Sequence, residues 1–493
     1  MTKKVFLTLS AIIIILIQAS VSALGSETFD SRFLNETLRV DYYHLGDAKH
    51  EFVTLHQLHR YKGWAGSTKN LIDRERVGKF AVNVFNREGT LLLFRHNYNS
   101  IFEEYQTTSD AINGTKRTYQ ESVLIPFPRE PVLLTIESRD KNNEFHDVFR
   151  SVIDPGNKQI ITREKDRAVT VNTISGTADP HRKVDLLLIA EGYTEKEQDK
   201  FQKDSARLAG VLLKTEPFSS LKDRFTVRSA FRASAESCCT EPDFRQFRRT
   251  ALSCSFDALG SERYLLTESY WNVMDIACNA PWDSMVIIVN SSRYGGGGIF
   301  NFMATCTSDS QWNSYIFIHE FGHLFAGLAD EYYTSKVEYN EFHPIEREPL
   351  EPNITALLDR KNLKWKSLCQ PGTDIPTLWA KKEYDDHDRE YQQKREQIYK
   401  KLQDAKRLNA PKDEIDRIEQ EQSELSRRTA DESDAILLSS PNHGKVGAFE
   451  GAGYRAEGLY RPMVDCIMFS KGHKPFCKVC QEALKKRILL YCD

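Results

Sequence analysis

From about Glu27 to Pro155 apolar and polar positions alternate in short runs, among them "TLRVDYYHL", "KFAVNVFN", "GTLLLFRHN", "YQESVLIPF", "PVLLTIESRD" and "HDVFRSVID". Turn residues separate them at short intervals. A period of two places successive side chains on opposite faces of a strand, so the segment predicts a β-sandwich. A polar stretch, "NTISGTADPHRK", reads as a linker. Beyond it the pattern changes. "VDLLLIAEGYT" is a continuous apolar run, residues 195–214 carry helical spacing, and "RFTVRSAF" reads as the next strand. "ERYLLTESYWNVMDIAC" reads as helix, "DSMVIIVN" as a buried strand, and "RYGGGGIFNFMAT" as a flexible glycine-rich edge leading into extended chain beside a cleft. No lysine-serine or lysine-threonine pair follows those glycines, which excludes a P-loop.

Residues 381–430 are almost all charged or polar, with a thin stripe of Tyr391, Ile398, Leu402, Ile415, Ile418 and Leu425, and Pro411 interrupts them. Two antiparallel helices supported by charge pairs one turn apart are expected. The plain reading is a solvated, projecting insertion, and the alternative is a protein-docking arm.

At the start of the chain, Lys3 and Lys4 precede an apolar run ending near Gln18, followed by Val21-Ser22-Ala23. This is the pattern of a secretory signal peptide over residues 1–23. The run is shorter than the ~20 residues a membrane span requires. No later stretch is apolar enough to cross a bilayer, so the mature chain is expected outside the cytosol: periplasmic, at the cell surface or extracellular. Lysine and arginine number 67 against 70 acidic residues, a balance of −3 that gives no basic footprint for nucleic acid. The ten cysteines all follow residue 237, and in an exported chain disulfides are the expectation. Burial alone must then hold the N-terminal part. Cys477 and Cys480 in "FCKVC" also read as half a zinc knuckle, with Cys466 or His473 as a further ligand, although no second tight pair is visible.

The chemistry concentrates in "FIHEFGHLFAGLADEYY", residues 317–333. On a helix, residues four apart differ by about 40° in direction and ~6 Å in rise, so His319 and His323 can point at one metal ion. Glu320 is swung aside from that pair, where it reaches a metal-bound water as general base. By chance such a motif arises in roughly a few of every hundred chains of this size. The flanks are apolar nearly throughout, so the three polar groups would otherwise be buried without evident partners. A catalytic zinc takes three protein ligands. On a continuing helix Asp330 would lie about 10 Å beyond His323 along the axis, so the helix must end, and Gly327 is where the chain turns back. Asp330 is then the leading third ligand, with Glu331 its rival. Whichever of the two does not bind metal is free to hold a histidine N–H.

These residues resemble a known family. "HEFGHLFAGLADEY" is similar to the metzincin pattern, with one extra residue before the glycine. It resembles more closely the bacterial IgA-peptidase family of exported zinc metallopeptidases, a likeness shared by "VDLLLIAEGYT", "RYGGGG", "FEGAGY", "DCIMFS", "FCKVC" and, in the N-terminal domain, "LRVDYYHLGD". The resemblance implies an α+β fold, with a β-sandwich over 24–165 and a zincin-like α/β domain over 175–493. It implies Met468 as the methionine beneath the metal, the segment from Gly298 to Ala304 as an edge strand pairing with peptide substrate, and Tyr454 or Tyr460 as an oxyanion donor. The expected function is a secreted zinc endopeptidase acting on protein or peptide substrates, with catalytic Glu320 and Tyr454 and zinc held by His319, His323 and Asp330. The alternative is a silent protein- or glycan-binding module retaining the fold. Substrate identity and oligomeric state stay open.

Overall fold

The computed structural model describes residues 28–75, 77–177, 179–334 and 343–492. The expected signal peptide at 1–23 lies outside the described residues. The N-terminal half holds β1 (Phe33–Gly46), β2 (Glu51–Lys62), β3 (Phe80–Asn86), β4 (Leu92–Tyr98), β5 (Arg117–Pro128), β6 (Val132–Arg139), β7 (Phe145–Ile153) and β8 (Ile161–Thr162). They form two four-stranded sheets, ordered β5-β1-β2-β8 and β4-β3-β6-β7, stacked as a sandwich. Alternation along β1 explains the stacking. Leu38, Val40 and Tyr42 point into the core with Phe80, Val82 and Ile136. The intervening Arg39 and Tyr43 point the other way, toward the second half of the molecule, where Arg39 Nη1 reaches Asp275 Oδ1 at 2.6 Å and Tyr43 packs on Trp271.

The stretch read as a linker is in part structured, because Thr170–Ser175 forms β9, the antiparallel edge of the next sheet. There follow β10 (Val184–Glu191), α1 (Gln198–Leu212), β11 (Phe225–Phe231), α2 (Tyr270–Ala277), β12 (Ser284–Val289), β13 (Gly296–Ile299), β14 (Met303–Thr307) and α3 (Asn313–Ala326). Only the second half of the expected helix at 262–278 is helical. Its first half is extended, with Leu266 bridged to Ser255. The six strands are ordered β13-β14-β12-β10-β11-β9, with β10, β11, β12 and β14 parallel and the two edges antiparallel.

Continuous apolar runs in β10 and β12 are what a sheet covered on both faces requires. Val184, Leu186 and Leu188 of β10 join Val286 and Ile288 of β12 in a core with α1 and α3. Leu187, Ile189, Met285 and Ile287 point to the opposite face, into the same apolar cluster as the sandwich residues Val40, Tyr42 and Phe80. Burial holds the N-terminal part, as expected, but that part shares its buried cluster with the second half. The two halves share one core.

The chain ends with α4 (Lys381–Arg407), α5 (Lys412–Ser439), the hairpin strands β15 (Phe449–Ala452) and β16 (Arg455–Arg461), and α6 (Lys478–Cys492). Helices α4 and α5 are antiparallel neighbours broken at Pro411, as the sequence predicts, and α5 runs nine residues past the expected end at 430. They do not simply project into solvent. Tyr399 donates to Asp243 at 2.5 Å, Lys406 lies 4.4 Å above the Phe244 ring, Arg395 pairs with Glu262, and Trp312 donates to Ser426 at 3.0 Å. Among the described residues no disulfide joins any of the cysteines, so the expectation of disulfides is not met. Among the described residues no helix is long and apolar enough to cross a membrane.

Candidate active site

Helix α3 carries the histidines along the floor of a cleft. It stops where the sequence predicts: Gly327 adopts φ +58° as the C-cap, its N–H returning to Gly322 and His323 carbonyls. A β-carbon at Gly327 would also come within 2.4 Å of Val77 Cγ1, so this turn requires glycine on two counts. The turn carries the following residues back beneath the helix, and His319 Nε2 lies 2.9 Å from Asp330 Oδ1. His323 Nε2 lies 3.2 Å from the same oxygen and 3.1 Å from His319 Nε2.

The remaining ring nitrogens fix the tautomers. His319 Nδ1 donates to the Ile467 carbonyl at 3.0 Å, and His323 Nδ1 donates to the Leu328 carbonyl. Both Nε2 lone pairs are thereby directed at each other and at a carboxylate. Tetrahedral bonds of ~2.0 Å from one zinc ion would separate two donor atoms by about 3.3 Å, so these three groups fit a metal of that size. The electrostatics agree. Burial favours neutral Asp330, yet His323 and His319 hold its carboxyl far below the ordinary carboxylate range. Burial opposes charge on His323 as well, but Asp330 pushes its pKa up to about 9. The trio holds a place for positive charge, whether proton or metal.

Glu320 lines the same cleft without entering that trio. Burial pushes its carboxyl above the ordinary value, while His319 and His323 pull the other way. Glu331 is not a rival third donor. It points away from the histidines, taking a hydrogen bond from Asn353 at 3.0 Å beside Cys480. Nor does it hold a histidine N–H, since backbone carbonyls do so. Met468 packs beneath α3, its sulfur 3.0 Å from where a Gly322 β-carbon would stand, and its carbonyl accepts from Glu331 N–H at 2.8 Å.

Tyr454 sits at the β15–β16 turn with φ +64° and donates to Asp330 Oδ2, so its hydroxyl is engaged with the carboxylate that faces the histidines. Tyr460 does not line the cleft and pairs instead with Thr355. The outer strand of the sheet is β13, so of the segment Gly298 to Ala304 only its first residues lie on the edge, and Met303 and Ala304 belong to the inner β14. The glycine run forms the edge strand β13 beside the cleft. At Gly298 a β-carbon would stand 2.5 Å from the Glu320 carbonyl and 2.9 Å from His323 Cβ, so a bare backbone lets α3 lie directly on the strand.

Sequence reasoning missed several cleft residues. Tyr332 stacks on His319 at 6.1 Å, and Arg263, Tyr294 and Lys471 line the wall, with Lys471 Nζ 4.4 Å above the Tyr294 ring. From the hairpin come Tyr384, Asp388, Tyr391 and Thr429. Position in the chain gives no signal for any of them except Tyr332, which lies in the motif segment itself.

The family model described as IgA Peptidase M64 matches residues 173–488, and that described as Peptidase M64 N-terminus matches residues 28–150. No match to a curated protein was found. One match spans the half that carries α3 and its cleft, the other spans the sandwich, and by them the chain belongs to the IgA peptidase M64 family.

Proposed function

We propose that the chain is an exported zinc endopeptidase that cuts extended protein segments in the cleft above α3. The observation that carries this reading is the convergence of His319 Nε2, His323 Nε2 and Asp330 Oδ1 at 2.9–3.2 Å beside Glu320, with both Nδ1 atoms committed to carbonyls. His319, His323 and Asp330 would hold the zinc. When bound there, zinc polarises a carbonyl and acidifies a water molecule.

Glu320 is placed to accept the proton of the attacking water and return it to the leaving amine. Its burial supports this, because a carboxylate raised toward neutrality is a better base. Strand β13 offers main-chain groups at the sheet edge, where an extended substrate can add as a further strand. Tyr454 orients the Asp330 carboxylate rather than the oxyanion. The leader pattern at residues 1–23 supports export. Immunoglobulin A, named in the family description, is one candidate substrate among extracellular proteins.

The test is digestion of a proteome-derived peptide library by the mature protein, with new termini identified by mass spectrometry, beside Glu320→Gln. The substitution is expected to keep the metal and the fold and to lower hydrolysis by about 10²–10⁴-fold. Full activity in that variant, or no cleavage by the wild type, would reject the reading and favour a binding protein on the same fold.

A further inference from the structure

A second group of metal-binding side chains lies directly behind the first. Glu331, Cys466, Cys477 and Cys480 are all buried, and each offers one donor atom within 4.8 Å of the others. Cys466 Sγ and Cys480 Sγ are 3.9 Å apart, Cys480 Sγ is 3.3 Å from Glu331 Oε1, and Cys477 Sγ is 4.0 Å from the same oxygen. A disulfide would bring two sulfurs to ~2.05 Å. Tetrahedral zinc, with Zn–S bonds of ~2.3 Å and Zn–O of ~2.0 Å, separates paired sulfurs by about 3.8 Å and sulfur from oxygen by about 3.5 Å. The observed spacing is that of the tetrahedron.

Two further observations point to a ligand. Glu331 is fully buried, and its Oε2 has no hydrogen-bond partner among the described residues. A buried carboxylate oxygen left in that state is costly unless a cation satisfies it. Backbone N–H groups of Cys477 and Cys480 are aimed at Cys466 Sγ and Cys477 Sγ at 3.1 and 3.5 Å, as thiolate sulfurs on a metal require. Arg461, with no side-chain exposure, stands beside the cluster and offsets part of its negative charge, and Asn353 donates to Glu331 Oε1 at 3.0 Å.

We infer that Glu331, Cys466, Cys477 and Cys480 form a structural zinc site, closed to solvent by its complete set of four protein donors. A sulfur-rich tetrahedral set selects zinc over harder cations. The sequence shows the "FCKVC" pair and Cys466, but the fourth donor is Glu331, brought in from the far side of the Gly327 turn; His473 is exposed and takes no part. The site ties together two segments that build the catalytic cleft. Glu331 follows Asp330, and Cys466 precedes the Ile467 carbonyl that holds His319.

This assignment does not depend on the peptidase reading, and it is tested apart from it. Zinc analysis of the full chain should give about two ions per molecule, and the double variant His319→Ala, His323→Ala should retain about one. Adding Cys477→Ser and Cys480→Ser to the double variant should bring zinc to background. Should that variant fail to fold, cobalt exchanged into the wild-type chain decides, because only a thiolate site gives an intense near-ultraviolet sulfur-to-cobalt charge-transfer band. Absence of that band, loss of all zinc from the double histidine variant, or a disulfide between two of the three cysteines on non-reducing peptide mapping would overturn the assignment.

Discussion

Among the described residues, two of the buried clusters of histidine and carboxylate look alike in composition and differ in arrangement. In the sandwich, His44 is fully buried, with Nδ1 3.0 Å from Glu121 and Nε2 3.0 Å from Glu51, and its ring stacks on Phe102 at 4.0 Å. Both of its nitrogens meet carboxylates, so a protonated imidazole donates to one oxygen of each. In the cleft, His319 and His323 spend Nδ1 on backbone carbonyls and bring both Nε2 atoms to a single carboxylate oxygen. A proton can satisfy only part of that arrangement. The contrast teaches that the nitrogen facing the carbonyl, more than burial or residue type, separates a structural ion pair from the proposed metal site.

The comparison can be broken from either side. His323→Ala should have the largest effect, abolishing peptide hydrolysis and removing one zinc from the chain, while circular dichroism stays near wild type. Retention of either activity or that zinc would place the catalytic charge elsewhere. His44→Ala should do the opposite. It strands Glu121 and Glu51, at a cost of about 3–5 kcal/mol, measurable by urea denaturation, with activity per folded molecule unchanged. A loss near zero would mean that solvent enters and rescues the carboxylates.

The same cluster sets a pH dependence. Burial lowers the His44 pKa, but Glu121 and Glu51 more than reverse this and push it up to about 9. A raised folded-state value means stability fully present below the unfolded value near 6.5 and lost as pH rises through about 9, worth about 3 kcal/mol at most. Glu51 runs the other way. Burial raises its pKa, yet His44 brings the net value below normal, so its contribution is present above about pH 4.5 and fades on acidification. Denaturation midpoints should therefore peak between roughly pH 5 and 6.5 and decline toward pH 9, and His44→Ala should flatten that decline. The smallest effect is expected from Tyr454→Phe, which removes the donor to Asp330 Oδ2 and should weaken zinc binding at the histidines by about 10–100-fold, read by chelator competition.

Much of the site was legible because its logic is local. The histidine pair follows from helical spacing, and the stop at Gly327 follows from distance along an axis. Asp330 follows from both. The remainder depends on contacts between segments far apart in the chain. Nothing in "KKEYDDHDREY" announces that Tyr384 and Asp388 line the cleft, since a charged helix carries the same pattern whether one turn of it is covered or none. The glycine run was legible as an edge beside a cleft, but not the use of its absent β-carbons, which make room for α3. Glu331 was placed near the histidines because Asp330 is its neighbour. In extended chain adjacent side chains point to opposite sides, and that alternation sends it to the cysteines.

The apolar cluster that runs from Val40 and Phe80 through to Ile189 and Ile287 has a bearing on how the protein can be handled. Removing the sandwich would strip the sheet of its cover and bare a broad oily surface, so the C-terminal half is not a separable unit to be expressed by itself. Heating should give a single calorimetric peak, and a lesion as distant as His44 should lower the temperature at which the cleft itself melts.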